Sequence, residues 1–93
     1  MDFNKIFTNN EKWIADKLAL NPNYFSDLSK GQSPEFLYIG CSDSRVTAED
    51  LMGLNPGEVF IHRNIANQVI PTDNNVNAVM QYAVEHLKVK HII

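Results

Sequence analysis

The chain has 93 residues, with 8 Lys and Arg against 11 Asp and Glu, and a formal net charge of −3. That mild acidity argues against a nucleic-acid binder, and the composition, 44% apolar and 20% charged, is that of a folding chain and not of a disordered one. A single Cys excludes an intrachain disulfide, no apolar run nears the ~18 residues of a membrane span, and the polar start (Asp2, Lys5, Glu11, Lys12) lacks the apolar stretch of a signal peptide, so a cytoplasmic protein is expected.

The first thirty residues read as helical. Phe3, Ile6 and Phe7 share a face, and Thr8-Asn9-Asn10-Glu11 has the form of a capping box. Trp13, Ile14, Lys17 and Leu18 continue at helical spacing. Asn21-Pro22 resembles an N-cap followed by Pro in the first turn, Tyr24, Phe25 and Leu28 form a short face, and Gly31 suits a stop. The pattern changes at Pro34, which divides the chain into a helical arm, 1–34, and an α/β part, 35–93.

Phe36-Leu37-Tyr38-Ile39-Gly40 is an unbroken apolar run bounded by turn signals, as in a strand buried on both faces of a parallel sheet. A polar loop comes next, Cys41 to Arg45. Thr47-Ala48-Glu49-Asp50 opens a short helix that ends near Gly53, and Asn55-Pro56-Gly57 is a turn. Glu58 to His62 reads as a second strand and Arg63 to Asn67 as a second polar loop. Thr72 can cap the clearest helix, with Val76, Val79, Met80, Ala83, Val84 and Leu87 on one stripe. His91-Ile92-Ile93 begins a third strand. The plan is βαβαβ: a parallel sheet with flanking helices, whose ligands belong beyond the carboxyl ends of the strands. Both polar loops lie there.

In the first loop a thiol, a carboxylate and a guanidinium fall within five residues. Asp43 and Arg45 are two apart and can pair, which keeps the Asp ionised and oriented. The same pair could equally be a loop-stabilising salt bridge. Cys41 is open to three readings: packing residue, nucleophile, metal ligand. Phosphatase loops set Cys and Arg six residues apart around Gly-rich backbone; here the gap is four and the loop has no Gly. A soft thiolate beside a carboxylate suits zinc better, yet this loop offers at most two donors and a catalytic zinc takes three protein ligands.

Cys41-Ser42-Asp43-Ser44-Arg45-Val46 and His62-Arg63-Asn64-Ile65-Ala66-Asn67 resemble the two signature segments of beta-class carbonic anhydrases. Flanking agreement runs through Lys30 to Pro34, Pro56-Gly57-Glu58, Gln81 to Val84 and Leu87 to Ile93. The resemblance implies zinc as cofactor, with Cys41 as one of the family's two Cys and one His ligands, the others matching a stretch beyond Ile93. It implies reversible hydration of carbon dioxide to bicarbonate. Asp43 would accept a hydrogen bond from the attacking hydroxide and, in some members, swing onto zinc as a conditional ligand; Arg45 would hold Asp43. Gln32 matches a substrate-binding Gln that often acts across a dimer interface, and Phe60, Ile65 and Tyr82 match the walls of an apolar substrate pocket. For Phe60 and Tyr82, ordinary core is an equal expectation. His62, His86 and His91 are not expected to bind the catalytic zinc.

Arg63 matches an arginine that binds regulatory bicarbonate in some bacterial members, but Tyr38 stands where those have Trp, which counts against that site here. The resemblance also implies a homodimer or higher homo-oligomer for the complete protein, with the arm embracing a neighbour, and no nucleic-acid or membrane partner. The chain is therefore expected to be an N-terminal piece of such an enzyme, inactive alone, binding zinc weakly and prone to associate. Two other functions stay open: a non-catalytic anion-binding or interaction module, and a related hydrolase acting on carbon disulfide or carbonyl sulfide.

Overall fold

In a computed structural model, which describes residues 2–93, the apolar run after Pro34 is strand β1 (Phe36–Cys41). It lies in the middle of a three-stranded sheet ordered β2–β1–β3. Strand β2 (Val59–Asn64) pairs with it in parallel from Phe36↔Val59 to Cys41↔Asn64, and β3 (His91–Ile92) pairs in parallel on the other side from Phe36↔His91. This is the predicted βαβαβ sheet with flanking helices. Strand β2 runs two residues further than its apolar run, so Arg63 and Asn64 are strand residues. That extension sets them level with Gly40 and Cys41, at the point where the chain leaves β1.

Two compact units divide the chain, Met1–Gly31 and Gln32–Ile93. In the second, the hydrophobic core is Leu37 of β1, Ala48 of α3 (Ala48–Met52), Val76 of α4 (Asn74–Gln81) and Ala83 of the π-helical segment Tyr82–Leu87, and Pro34 before β1 is buried too. Leu37 is central because β1 has neighbours on both edges, so only its faces remain to be covered. Helix α3 ends as predicted at Gly53, whose φ of 65° closes the helix in the left-handed conformation that a Cβ disfavours. Gly40 has a different reason: a Cβ there would stand 2.2 Å from the Tyr38 ring, which folds over it.

Two local expectations are corrected here, and the third strand is as expected. The cap of α4 is Asp73, not Thr72; the Asp73 carboxylate accepts the Asn75 N–H at 3.0 Å. The long helix changes pitch at Tyr82, where bonding shifts to the wider π pattern. The single stripe therefore breaks: Ala83 is buried but Val84 is 52% exposed. The segment closes at Lys88 in the left-handed region, φ 56°. At the third strand, Ile93 extends the β1 pairing by exchanging bonds with Leu37 and Ile39.

In the first unit, α1 (Asn4–Leu20) passes through the proposed Thr8 capping box without interruption. The Thr8 hydroxyl bonds back to Asn4 O inside the helix, and Asp2 receives the Asn4 N–H at the true start. Asn21 receives the Asn23 N–H, and α2 (Tyr24–Leu28) begins two residues after Pro22. Trp13, Tyr24 and Phe25 meet edge to face, with centroids 4.9–6.4 Å apart, and Lys17 lies over the Tyr24 ring. No residue of α1 or α2 is buried. Among the described residues, no helix is long and apolar enough to cross a membrane.

Candidate functional site

The register Cys41↔Asn64 places the last residues of β1 and β2 side by side, so the loops beyond them leave from one end of the sheet. Side chains alternate along each strand, and partners in register share a face. Cys41, Ile39 and Leu37 thus lie on the face of Asn64, His62 and Phe60. Cys41 is a free, half-buried thiol.

Beyond it the chain turns back on itself. The Asp43 carboxylate accepts the Arg45 N–H at 2.9 Å and both sides of the Arg45 guanidinium, Nε at 3.0 Å and Nη2 at 2.7 Å. The predicted pair is therefore bidentate. Arg45 is open to solvent while the Asp43 side chain is only 28% exposed. The Arg45 side chain holds the Asp43 carboxyl below the usual carboxylate range; its backbone N–H adds to this, burial opposes it, and the nearby charge of Arg63 assists. Arg45 is correspondingly pushed above the ordinary arginine value by Asp43. The result is a fixed, ionised hydrogen-bond acceptor two residues from the thiol.

Sequence reasoning missed what holds this loop. Arg63 reaches over from β2 and donates from Nε to Cys41 O at 2.9 Å, and from Nη2 to Asp43 O at 2.6 Å and Val46 O at 2.7 Å. The Ser42 N–H donates to Asn64 O at 2.8 Å. The partners of Arg63 are 17 to 22 residues away in sequence, so no local pattern announces them. The sole hint is a lone basic residue on the end of an apolar strand.

The second loop has its own lock. Asn64 accepts the Gln68 N–H at 2.7 Å and donates to Gln68 O at 2.8 Å, closing the single 3₁₀ turn Ile65–Asn67. Inside it Ala66 and Asn67 adopt positive φ, 64° and 44°. Ile65 emerges 78% exposed.

The remaining candidates divide between the two ends of the sheet. Phe60 and Tyr82 come together, ring centroids 5.8 Å apart, and neither is buried. Gln32 lies in the coil before β1, exposed, at the strand's opposite end, where Ser33 and Glu35 line an open hollow with Leu54, Gly57 and Glu58. His62 faces the Asn64 amide, His86 stacks on Tyr82 and His91 stacks on Phe36. Among the described residues no three His, Cys, Asp or Glu side chains converge as a metal site. Cys41 and Asp43 are at most two donors, fewer than a catalytic zinc requires, so these residues do not by themselves fit that ion.

An open parallel α/β sheet with its reactive groups on adjacent loops at the carboxyl ends is a binding or catalytic architecture. Its family is specific. The carbonic anhydrase family model matches residues 36–93. A carbonic anhydrase of Emericella nidulans is 58% identical over 89 residues, which is 96% of this chain and 39% of that protein. The structure of a tetrameric beta-carbonic anhydrase from Sordaria macrospora matches at 53% identity and a TM-score of 0.93, covering 97% of this chain and 46% of that one. A Coccomyxa beta-carbonic anhydrase, solved with acetazolamide, matches at 44% identity and 0.90, covering 98% and 41%. The chain belongs to the beta-class carbonic anhydrases, and it spans less than half the length of these relatives.

Proposed function

We propose that this chain supplies the thiol and the carboxylate–guanidinium pair of a site that interconverts carbon dioxide and bicarbonate. The observation that carries the reading is the two-pronged bond from Arg45 to Asp43. It fixes an ionised carboxylate as a pure acceptor, which can take a hydrogen bond from a water or hydroxide and aim its lone pair. A neutral carboxyl group could donate as well as accept, and a mobile one would not aim the lone pair. Cys41 is one donor toward zinc and Asp43 a conditional second. Among the described residues the remaining donors of a zinc site are absent. Exposed Ile65 and Tyr82, with half-buried Phe60, supply apolar surface suited to a small apolar gas. Gln32, at the far end of β1, would serve a neighbouring subunit's substrate, in keeping with a homodimer or higher homo-oligomer. The proposed location is the cytoplasm.

The test restores what lies outside these residues. In a chimera, this chain replaces the matching segment of the Emericella nidulans relative, and carbon dioxide hydration is followed by stopped flow. The parent chimera should turn over with bound zinc, and Asp43→Asn should lower kcat by about 100-fold or more at unchanged fold. The 93-residue chain with added zinc should be no faster than free zinc. Full activity in Asp43→Asn would remove the carboxylate from the mechanism. A folded, metal-free and inactive chimera would favour a non-catalytic anion-binding module, and turnover confined to carbon disulfide or carbonyl sulfide would reassign the substrate.

A further inference from the structure

We propose that Arg63 is a positioning residue: it sets the shape of the Cys41–Val46 loop through three backbone carbonyls, and so determines where Cys41 and Asp43 present their side chains. The inference rests on the proposed function only for its catalytic consequence. Arg63 occupies the next-to-last place of β2, and its Nε and Nη2 donate to the carbonyls of Cys41, Asp43 and Val46. Those residues are the first, third and last of the loop. The Asp43 carbonyl also receives the Val46 N–H at 3.1 Å, so both of its lone pairs are engaged. A guanidinium is a rigid planar fork; three bonds from one head therefore fix three peptide planes relative to each other. Few bonds inside the loop could replace them, since Asp43 and Arg45 bond chiefly to each other.

The same geometry changes what Arg63 is free to do. Both N–H groups of Nη2 and the one of Nε are committed to carbonyls, so an anion could take that edge of the guanidinium only by breaking the clamp. Lysine cannot substitute. An ammonium keeps the charge but is a point donor on a flexible stem, suited to one of the three carbonyls and not to all.

Two measurements test this. In the 93-residue chain, amide hydrogen exchange compares wild type with Arg63→Gln. The bonded amides of Ser42, Arg45 and Val46 should lose roughly tenfold or more of their protection while those of Leu37 to Ile39 stay within about twofold. No loss, or an equal loss across the sheet, overturns the inference. In the chimera with the Emericella nidulans relative, Arg63→Gln should lower kcat by roughly tenfold or more and leave the KM for carbon dioxide unchanged, because a misplaced group fails in the transition state without touching the bound substrate. Arg63→Lys should not rescue it. Wild-type kcat in Arg63→Gln, or full rescue by lysine, overturns the inference. The exchange experiment needs no activity, so a catalytically silent chimera would refute the proposed function while the role of Arg63 is still decided.

Discussion

The two loops at the carboxyl end of the sheet are held in opposite ways. The loop after β1 has no positive-φ residue, and its anchor comes from another strand, through Arg63. The loop after β2 carries two left-handed residues, Ala66 and Asn67, and its anchor comes from its own strand, through Asn64. One is relaxed locally and fixed at long range; the other is strained locally and fixed at short range. The difference reflects what each presents. A loop that must keep a carboxylate free to bond Arg45 is best held by its carbonyls, which a cation grips without competing for the side chain. A loop that pushes Ile65 into the open has little apolar burial to hold it, so a side chain must close the turn.

The strand beneath the first loop should be a sensitive point. Gly40→Ala brings a Cβ against the far edge of the half-buried Tyr38 ring, so the ring must swing aside. Such overpacking costs roughly 1–3 kcal/mol, to be read from urea unfolding of the chain. An unchanged midpoint would mean that the ring gives way freely and the glycine does not shape the approach to Cys41.

The second loop should lose a comparable amount. Asn64→Ala removes both bonds to Gln68, each worth roughly 0.5–1.5 kcal/mol net, so about 1–3 kcal/mol in all. Exchange should rise at Gln68 and stay low at Val46, since Arg63 is untouched. A rise at both places would show the loops to be one unit and erase the contrast between them.

Acid should separate the loops further. Asp43 has a folded pKa below that of an unfolded-chain Asp, about 3.9, because Arg45 bonds its ionised form. A depressed carboxylate contributes stability in full above the unfolded value, and the contribution disappears as pH falls through the folded one. The second loop, Ile65 to Gln68, contains no titrating side chain. Below about pH 4, amide exchange should rise at Arg45 before it rises at Gln68, and Arg45→Gln should move the Asp43 carboxyl titration upward. Simultaneous loosening would argue that the pair lacks the assigned hold on the loop.

These contrasts also mark how far the sequence could be read. The strands were legible because Phe36 to Gly40 is apolar without a break and Pro34, Pro56 and Gly57 bound the runs. The Asp43–Arg45 pair was legible because a spacing of two leaves little else for those groups to meet. Arg63 and Asn64 were not, since β2 continues past its apolar residues and the clamp joins segments far apart in sequence. Nor was the π-helical turn: the stripe through Val84 continues at regular helical spacing, and it is the backbone that leaves the period, ending in left-handed Lys88. Gln32, Ile65 and Tyr82 came from family resemblance, and no pattern along this chain would have selected them.

The finest test of the contrast is Ala66→Gly, where two effects oppose. Ala66 sits at φ 64°, a conformation that costs an L-residue roughly 1–2 kcal/mol and glycine almost nothing. Glycine in turn loses about 0.4–1 kcal/mol through the greater freedom of the unfolded chain. The net change should lie between zero and about 1.5 kcal/mol on the stabilising side, whereas a clear loss would mean that the Ala66 methyl is itself a packing group. A glycine introduced in the first loop, at Ser44, has no left-handed strain to relieve, because that loop carries none. It should only destabilise. Opposite signs at Ala66 and Ser44 would therefore separate a loop strained and locked by its own strand from one relaxed and locked by its neighbour.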